Sequence, residues 1–242
     1  MSSEIAIALI RPGLLGTYGD RGNATVLATR LRKRGIAARV LDLDRGAVPT
    51  EADIYLLGGG EDGAQSAVAA DAQLRSALHS AVKRGAPVLG VCAGFQLLGK
   101  SFETGSGEVV EGFGVLECVS KRRQGARAVG EVFSRPRERL GLPILTGFEN
   151  HGGGTWLDPG FDPLGRLELG VGNGDGSGTE GMISARVIGT YLHGPVLARN
   201  PALADLLLSW AVGHALDPLP MPEVDRLRAE RLAEGRSSRM HS

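Results

Sequence analysis

The sequence predicts an α/β protein whose mostly parallel sheet carries helices on its faces. Three observations support this fold class. Strand and helix patterns alternate from Glu4 to Leu98, and among the strand runs Pro87–Val91 is apolar throughout. One of these runs ends in a sharp turn of small residues, where open α/β sheets place their sites. Continuous apolar strands are typical of parallel sheets, because both faces of such sheets are covered.

The first half of the chain follows a strand–helix order. Glu4–Ile10 is the first expected strand, and Asn23 is a plausible N-cap for a helix that runs through Arg34 and ends at Gly35. Further elements in this half are strands at Ile36–Leu43, Asp53–Leu57 and Pro87–Val91, and a helix over about Ala64–Arg84.

A turn around Cys92 organises this half. The apolar run Pro87–Val91 precedes it, and Ala93–Leu98 has the spacing of a buried helix. Gly90 and Gly94 leave room for a strand to turn directly into a helix, as in a nucleophile elbow. The helix N-terminus is expected to lower the pKa of the thiol and favour the thiolate. The alternative is that Cys92 is only a small buried apolar residue, as we expect for Cys118.

The second half has shorter patterns. Strands are expected at Gly114–Val119, Ala128–Phe133, Pro143–Phe148, Gly181–Ala185 and Val187–Leu192, and an amphipathic helix at Pro201–Ala215. We expect a single domain over residues 1–216. Residues 217–242 are expected to form a polar C-terminal tail, partly helical at Glu223–Glu234 and solvated.

Composition excludes several classes of function. The chain has 242 residues, and its 27 basic and 27 acidic side chains cancel, so no global field favours nucleic acid or an anionic membrane. The two cysteines lack metal-site spacing, which indicates a reduced, cytoplasmic protein without disulfides. No signal peptide is expected at the N-terminus, and no apolar run reaches the length of a membrane span.

Three familiar motifs occur in the wrong context. Gly94–Ser101 matches the phosphate-loop pattern, but its inner residues favour burial on a helix. Gly176–Gly181 matches a dinucleotide-binding pattern, yet it precedes a strand instead of opening a helix. His151–Gly154 is similar to an esterase oxyanion loop, but the chain has no GxSxG sequence.

A cysteine nucleophile needs a base from a distant part of the chain. The five histidines are His79, His151, His193, His214 and His241. His193 ends a strand pattern and is followed by Gly194-Pro195, so the turn presents its side chain. His193 is therefore the predicted base, with His151 second.

These residues resemble a known family. Gly90-Val-Cys-Ala-Gly-Phe-Gln96 and Gly189-Thr-Tyr-Leu-His-Gly194 are similar to class I glutamine amidotransferases of the cobyric acid synthase type. Tyr18-Gly-Asp-Arg-Gly-Asn23 and Gly147-Phe-Glu-Asn-His-Gly-Gly153 narrow the resemblance to the amidotransferase subunits of lipid II isoglutaminyl synthases. The resemblance covers Glu4 to Leu208 and implies a flavodoxin-like fold.

The resemblance implies that L-glutamine is the substrate. Cys92 would attack the side-chain amide, His193 would protonate the departing ammonia, and water would hydrolyse the thioester. The N–H of Ala93 and an N–H of Gly59 or Gly60 could stabilise the oxyanion. Arg127 would bind the substrate α-carboxylate, with Arg122 and Arg123 as alternatives.

The sequence departs from the common class I pattern at one point. No glutamate follows His193 at the position where many such enzymes have an orienting carboxylate, a lack shared by the cobyric acid synthase type. Glu149 is a candidate for that role, and His151 and Gln96 are candidate supporting residues.

The resemblance also implies a heterodimer with a Mur-ligase-like (MurT-like) synthetase subunit. We expect no cofactor or metal on this chain, and ATP and Mg²⁺ on the partner. The partner would amidate D-glutamate of a lipid-linked peptidoglycan precursor, without membrane insertion of this chain and without nucleic acid. Two alternatives remain open: a cobyric acid synthase-type enzyme with another acceptor, and a non-catalytic scaffold subunit of the same fold.

Overall fold

The computed structural model of the chain describes residues 4–16, 20–46, 48 and 51–239. The helices are α1 (Arg21–Lys33), α2 (Asp62–Ala69), α3 (Ala72–Lys83), α4 (Ala93–Leu98), α5 (Val196–Arg199), α6 (Pro201–Val212) and α7 (Pro222–Arg239). The strands are β1 (Ile5–Ile10), β2 (Ala38–Leu43), β3 (Ile54–Leu57), β4 (Val88–Val91), β5 (Ser101–Glu103), β6 (Val109–Glu111), β7 (Cys118–Arg122), β8 (Ala128–Pro136), β9 (Leu145–His151), β10 (Gly153–Leu157), β11 (Gly165–Leu169), β12 (Thr179–Glu180), β13 (Met182–Ser184) and β14 (Val187–Thr190).

The central sheet has six strands in the order β13-β14-β4-β3-β1-β2. All neighbouring pairs are parallel except β13 with β14 at one edge. Every residue of β1, β3, β4 and β14 is buried, as expected for strands covered on both faces. The order β2-β1-β3-β4-β14 is that of flavodoxin-like sheets. The predicted fold class is confirmed.

Two four-stranded sheets follow in the second half, with the orders β10-β7-β5-β6 and β12-β11-β8-β9. The strands β5, β6, β10, β11 and β12 were not expected from the sequence, because each has only two to five residues and lacks an apolar run. The expected strand at Gly114–Val119 is wrong over most of its length. The N–H groups of Phe113 and Leu116 instead bond to the carbonyls of Leu97 and Leu98, at 2.7 and 2.8 Å, at the end of α4.

Two helix expectations also need correction. α1 begins at Arg21, so Asn23 lies inside the helix and its side chain bonds to the distant N–H of Leu197 instead of capping. The helix expected over Ala64–Arg84 is two helices. Asp71 separates them, because its carboxylate accepts from the N–H of Leu74 at 2.9 Å and caps α3.

The C-terminal helix α7 lies against the rest of the chain. Arg228 donates to the carbonyls of Arg199, at 2.8 Å, and Ile144, and to Oδ1 of Asn200 at 3.0 Å. Gly235 faces Phe133 so closely that a Cβ would lie 2.2 Å from the ring. The expected solvated tail is therefore in contact with the strands and helices beside it, while the division at residue 216 stays a prediction.

A buried carboxylate joins β12 to the central sheet. Oε1 of Glu180 accepts from the hydroxyl of Thr190 at 2.6 Å and from the N–H of Tyr191 at 2.9 Å. Oε2 has no hydrogen-bond partner in the part of the chain that the structure describes. Burial raises the pKa of Glu180 to about 7, although both hydrogen bonds lower it. The folded protein therefore holds this proton to a higher pH than the unfolded chain does.

Glu180→Gln should change how stability depends on pH. The proton on Glu180 stabilises the folded state fully below the ordinary pKa of 4.5, and this stability is lost as the pH rises to about 7. Glutamine does not ionise, so the variant does not lose this stability as the pH rises. Its free energy of unfolding, measured with urea relative to that of the native sequence, should increase by up to about 3 kcal/mol between pH 5 and pH 8. The exposed Glu138→Gln is the control. An equal difference at both pH values would mean that Glu180 is ionised throughout.

Candidate active site

Cys92 lies at the turn between β4 and α4 with an unusual backbone, φ 53° and ψ −108°. L-residues rarely adopt positive φ, so the neighbouring residues must hold this turn. A Cβ on Gly90 would lie 2.7 Å from the carbonyl of Gly94, and a Cβ on Gly94 would lie 2.4 Å from the carbonyl of Leu57. The prediction that a nucleophile elbow needs these two glycines is confirmed.

The sulfur of Cys92 is almost enclosed. The residue is 8% exposed, and burial raises the pKa of its thiol to about 12. The N–H of Ala93 at the start of α4 lowers this pKa, as expected for a helix N-terminus, but burial outweighs it. The expected thiolate is therefore wrong, because the thiol is neutral at pH 7. Cys118 is buried in β7, as expected.

A pocket of about 260 Å³ opens over Cys92. Four other residues predicted from the sequence line it with the cysteine: Gly60, Gln96, Arg127 and His151. Parts of the chain that are far apart in sequence thus meet at the carboxyl end of the central sheet, where α/β proteins place their sites.

His193 follows β14, the strand that pairs with the cysteine-bearing strand β4. The N–H of Cys92 bonds to the carbonyl of Thr190 at 2.9 Å, which sets the register between these two strand ends. Burial lowers the pKa of His193, so its imidazole is neutral at pH 7.

Phe148 orients the imidazole of His193. Their backbones form a two-bond bridge, with N···O distances of 2.8 and 3.1 Å. Nδ1 of His193 lies 2.9 Å from the same Phe148 carbonyl, which only accepts, so the neutral ring carries its proton on Nδ1 and its lone pair on Nε2. A carbonyl, and not the carboxylate of Glu149, occupies the position of the orienting group.

Glu149 contacts His151 instead. Its carboxylate accepts from the N–H groups of Val171 and Gly172 at 2.8 and 2.9 Å, and lies 3.4 Å from Nε2 of His151. Nδ1 of His151 lies 2.7 Å from the carbonyl of Gly153. Both ring nitrogens of His151 therefore already lie within hydrogen-bond distance of acceptors in the protein.

The predicted cation is held at the pocket wall. Nε of Arg127 donates to Oδ1 of Asn150 at 2.6 Å, and Nη2 donates to the Asn150 carbonyl at 3.0 Å. Arg122 also lines the pocket, whereas Arg123 does not. Of the three arginines considered from the sequence as ligands of the substrate α-carboxylate, Arg122 and Arg127 therefore remain.

The loop of three glycines after β3 contains two N–H groups that were predicted as oxyanion donors, those of Gly59 and Gly60. The N–H of Gly59 donates to Oδ2 of Asp20 at 2.7 Å, so it is not available to a substrate, and its expected role is wrong. Gly60 lines the pocket, and its N–H has no hydrogen bond to any described residue. Asp20 was missed, although it stands in the motif Tyr18–Asn23; Tyr18 lies outside the described residues.

Gln96 lies between two other polar side chains. Its Nε2 donates to the hydroxyl of Tyr191 at 3.1 Å, and its Oε1 accepts from Gln65 at 2.9 Å. The ring of Tyr191 stacks on His151 with centroids 4.0 Å apart. Among the described residues, no group of three or more His, Cys, Asp or Glu side chains is placed to hold a metal ion.

Solved structures of glutamine amidotransferases share this fold. The PurLQS structure from Thermotoga maritima superposes with a TM-score of 0.59 at 17% identity, over 88% of this chain and 99% of that one. The CTPS glutaminase domain of Trypanosoma brucei gives 0.51 at 13% identity, over 88% and 96%.

The family follows from the sequence itself. Residues 6–201 match the model of the CobB/CobQ-like glutamine amidotransferase domain, and the chain belongs to this family of glutamine-hydrolysing amidotransferases. It is 34% identical to the lipid II isoglutaminyl synthase (glutamine-hydrolysing) subunit GatD of Staphylococcus aureus, over 92% of this chain and 90% of that protein. The Streptococcus pneumoniae GatD subunit is 31% identical, over 96% and 90%. A probable cobyric acid synthase from Methanoregula boonei is 34% identical over 54% of this chain and only 26% of its own length.

Gly94→Ala tests the packing of the elbow. The new methyl would lie 2.4 Å from the backbone carbonyl of Leu57, and a backbone atom cannot rotate away as a flexible side chain can, so we expect the free energy of unfolding to fall by about 2 kcal/mol or more. Gly63→Ala in α2 is the matched control. Its Cβ would meet nothing within 4 Å, so this change should raise stability by up to about 1 kcal/mol. Equal effects of the two changes on urea unfolding would contradict this packing argument.

Proposed function

We propose that this chain is the amidotransferase subunit of a lipid II isoglutaminyl synthase and that Cys92 and His193 hydrolyse its glutamine. The observation that carries the proposal is the strained Cys92 elbow in one pocket with Arg127, beside the strand that leads to His193. The similarity to two GatD subunits over nine-tenths of their length supports the acceptor.

The first chemical step forms a thioester. Because Nε2 of His193 carries a lone pair, it takes the thiol proton as Sγ of Cys92 bonds to the amide carbon of glutamine. The N–H groups of Ala93 and Gly60 stabilise the oxyanion of the tetrahedral intermediate. The imidazolium then returns its proton to the amide nitrogen, the C–N bond breaks, and ammonia leaves.

The second step releases glutamate. His193 takes a proton from a water molecule while the oxygen of that water attacks the thioester carbon. The C–S bond then breaks, and His193 passes the proton to the sulfur of Cys92. Throughout both steps, the guanidinium of Arg127 pairs with the substrate α-carboxylate. Asn150 fixes one edge of that guanidinium, which leaves Nη1 for the substrate.

Ammonia then requires an acceptor activated elsewhere. In this proposal a Mur-ligase-like partner in the cytoplasm binds ATP and Mg²⁺ and activates the α-carboxylate of D-isoglutamate in the lipid-linked stem peptide, giving D-isoglutamine. Lys100, the lysine of the phosphate-loop match, pairs with Asp158 and follows a buried helix, so this segment is not a phosphate loop. In the described part of the chain no helix is both long and apolar enough to cross a bilayer.

Cys92→Ser should abolish glutamine-dependent amidation by the complex with its partner, because a hydroxyl has a far higher pKa than a thiol. With ammonium chloride in place of glutamine, the same variant complex should still amidate, since only ammonia release is lost. Cys118→Ser is the control and should retain glutaminase activity. Loss of ammonium-dependent amidation in an assembled Cys92→Ser complex would contradict this division of labour.

His193→Ala and His151→Ala separate the two candidate bases. We expect kcat/KM for glutamine hydrolysis to fall about 10²–10⁴-fold on loss of His193, as for a general acid–base residue. His151→Ala should cost less, because both nitrogens of that ring face acceptors. A larger loss at His151 would transfer the base role to it.

A further inference from the structure

The segment Asp20-Arg21-Gly22-Asn23 opens α1 and contacts two loops of the site. One is the loop of three glycines after β3, which ends in Gly60. The other is the turn after β14, which carries His193. We propose that Asp20, Gly22 and Asn23 are positioning residues that set the separation between the oxyanion donor and the base. This inference rests on the proposed function of Cys92 and His193.

Asp20 holds the triple glycine without lining the pocket. The residue is 2% exposed, and its Oδ2 accepts the N–H of Gly59 at 2.7 Å. A Cβ on Gly58 would lie 2.7 Å from the Asp20 carboxylate, so the loop lies directly on it. The carbonyl of Gly58 in turn accepts from the N–H of Gly94 at 3.0 Å. Asp20 thereby fixes the backbone that presents the N–H of Gly60.

Gly22 and Asn23 hold the turn after His193. Oδ1 of Asn23 accepts the N–H of Leu197 at 3.0 Å, and Asn23 is also 2% exposed. A Cβ on Gly22 would lie 2.2 Å from Cγ of Pro195, so only glycine allows the helix to approach this closely. Pro195 and Leu197 are two and four residues beyond His193, so contacts at these residues restrain the turn that follows the histidine.

Asn23 also links the contact with the triple glycine to the contact with the turn after His193. Its Nδ2 lies 3.4 Å from Oδ1 of Asp20, so one side-chain pair touches both loops. This link matters because β3 and β14 are not neighbours; β4 separates them in the sheet. The ladder hydrogen bonds therefore do not join the loop after β3 directly to the turn after β14, whereas the first turn of α1 does.

The pattern of contacts predicts which kinetic constant changes. None of these three residues lines the pocket, whereas Arg127 and Gln96, which lie on other elements, do. Loss of the positioning contacts should therefore lower kcat more than it raises KM for glutamine. Arg21 provides a control inside the same segment, because its side chain is exposed and pairs with Asp42 at 2.7 Å.

The first experiment compares acceptors at position 20 in the full-length chain. Asp20→Ala should lower kcat for glutamine hydrolysis at least tenfold with less than a threefold change in KM. Asp20→Asn keeps an oxygen for the N–H of Gly59 and should recover kcat to within threefold of the native sequence. Asn23→Ala should behave as Asp20→Ala does, and Arg21→Ala should leave both constants unchanged. Native kcat in Asp20→Ala, or failure of Asp20→Asn to recover it in a folded protein, would overturn the inference.

A second experiment uses the close approach of Gly22. Alanine favours a helix, so Gly22→Ala should not lower helix stability by itself, but its methyl must displace Pro195. We expect kcat to fall at least tenfold, and Pro195→Ala, which removes Cγ, to recover at least threefold when combined with it. Native kcat in Gly22→Ala would overturn the inference.

Cys92→Ser, assayed in parallel, distinguishes failure of the proposed function from failure of the positioning role alone. Turnover that survives Cys92→Ser would refute the proposed function itself. An inactive Cys92→Ser beside fully active variants at Asp20, Gly22 and Asn23 would refute the positioning role alone.

Discussion

The left-handed backbone of Cys92 is the constraint on which the rest of the structure depends. A non-glycine residue in such a conformation costs about 1–3 kcal/mol, and it persists only where surrounding contacts determine it. The N–H groups of Cys92 and Gly94 supply two of these contacts, to the carbonyls of Thr190 and Gly58. The same hydrogen bonds join the cysteine to β14 and to the triple glycine. The strain is thus held by the strand that leads to His193 and by the loop that contains Gly60.

Burial then determines the charge states of Cys92 and His193. It raises the pKa of the Cys92 thiol to about 12 and lowers that of His193, so both groups are neutral at pH 7. The nearby Asp20 carboxylate raises the thiol pKa further, while Arg127 lowers it. Under these conditions a preformed thiolate–imidazolium pair is unfavourable, so in the proposed reaction proton transfer accompanies attack on the substrate. The tautomer imposed by the Phe148 carbonyl suits this, because it leaves the lone pair on Nε2.

The sequence was most informative where function depends on local geometry. The elbow could be read from Gly90, Cys92 and Gly94, because strand, turn and helix are adjacent in the chain. Contacts made across the fold were not readable in this way. The N–H of Gly59 was predicted to be available to the substrate, but it donates to Asp20. Asn23 was predicted to cap α1, but its side chain bonds to a residue 174 positions away. Short strands such as β5 and β6 were missed because three residues carry no period.

Strand β9 shows why a motif can be recognised before its parts can be assigned. Gly147 lets the strand approach Leu192, where a Cβ would lie 2.6 Å away, and the backbone of Phe148 holds His193.

The next residues of β9 serve different partners. Glu149 pairs with His151, while Asn150 holds Arg127. Successive strand residues point to opposite faces, so neighbours in sequence reach different parts of the site. Each position of such a motif is constrained by a contact, but the partner in that contact can be identified only from the folded structure. Residue type alone suggested that Glu149 orients His193, whereas the alternation of the strand directs its carboxylate to His151.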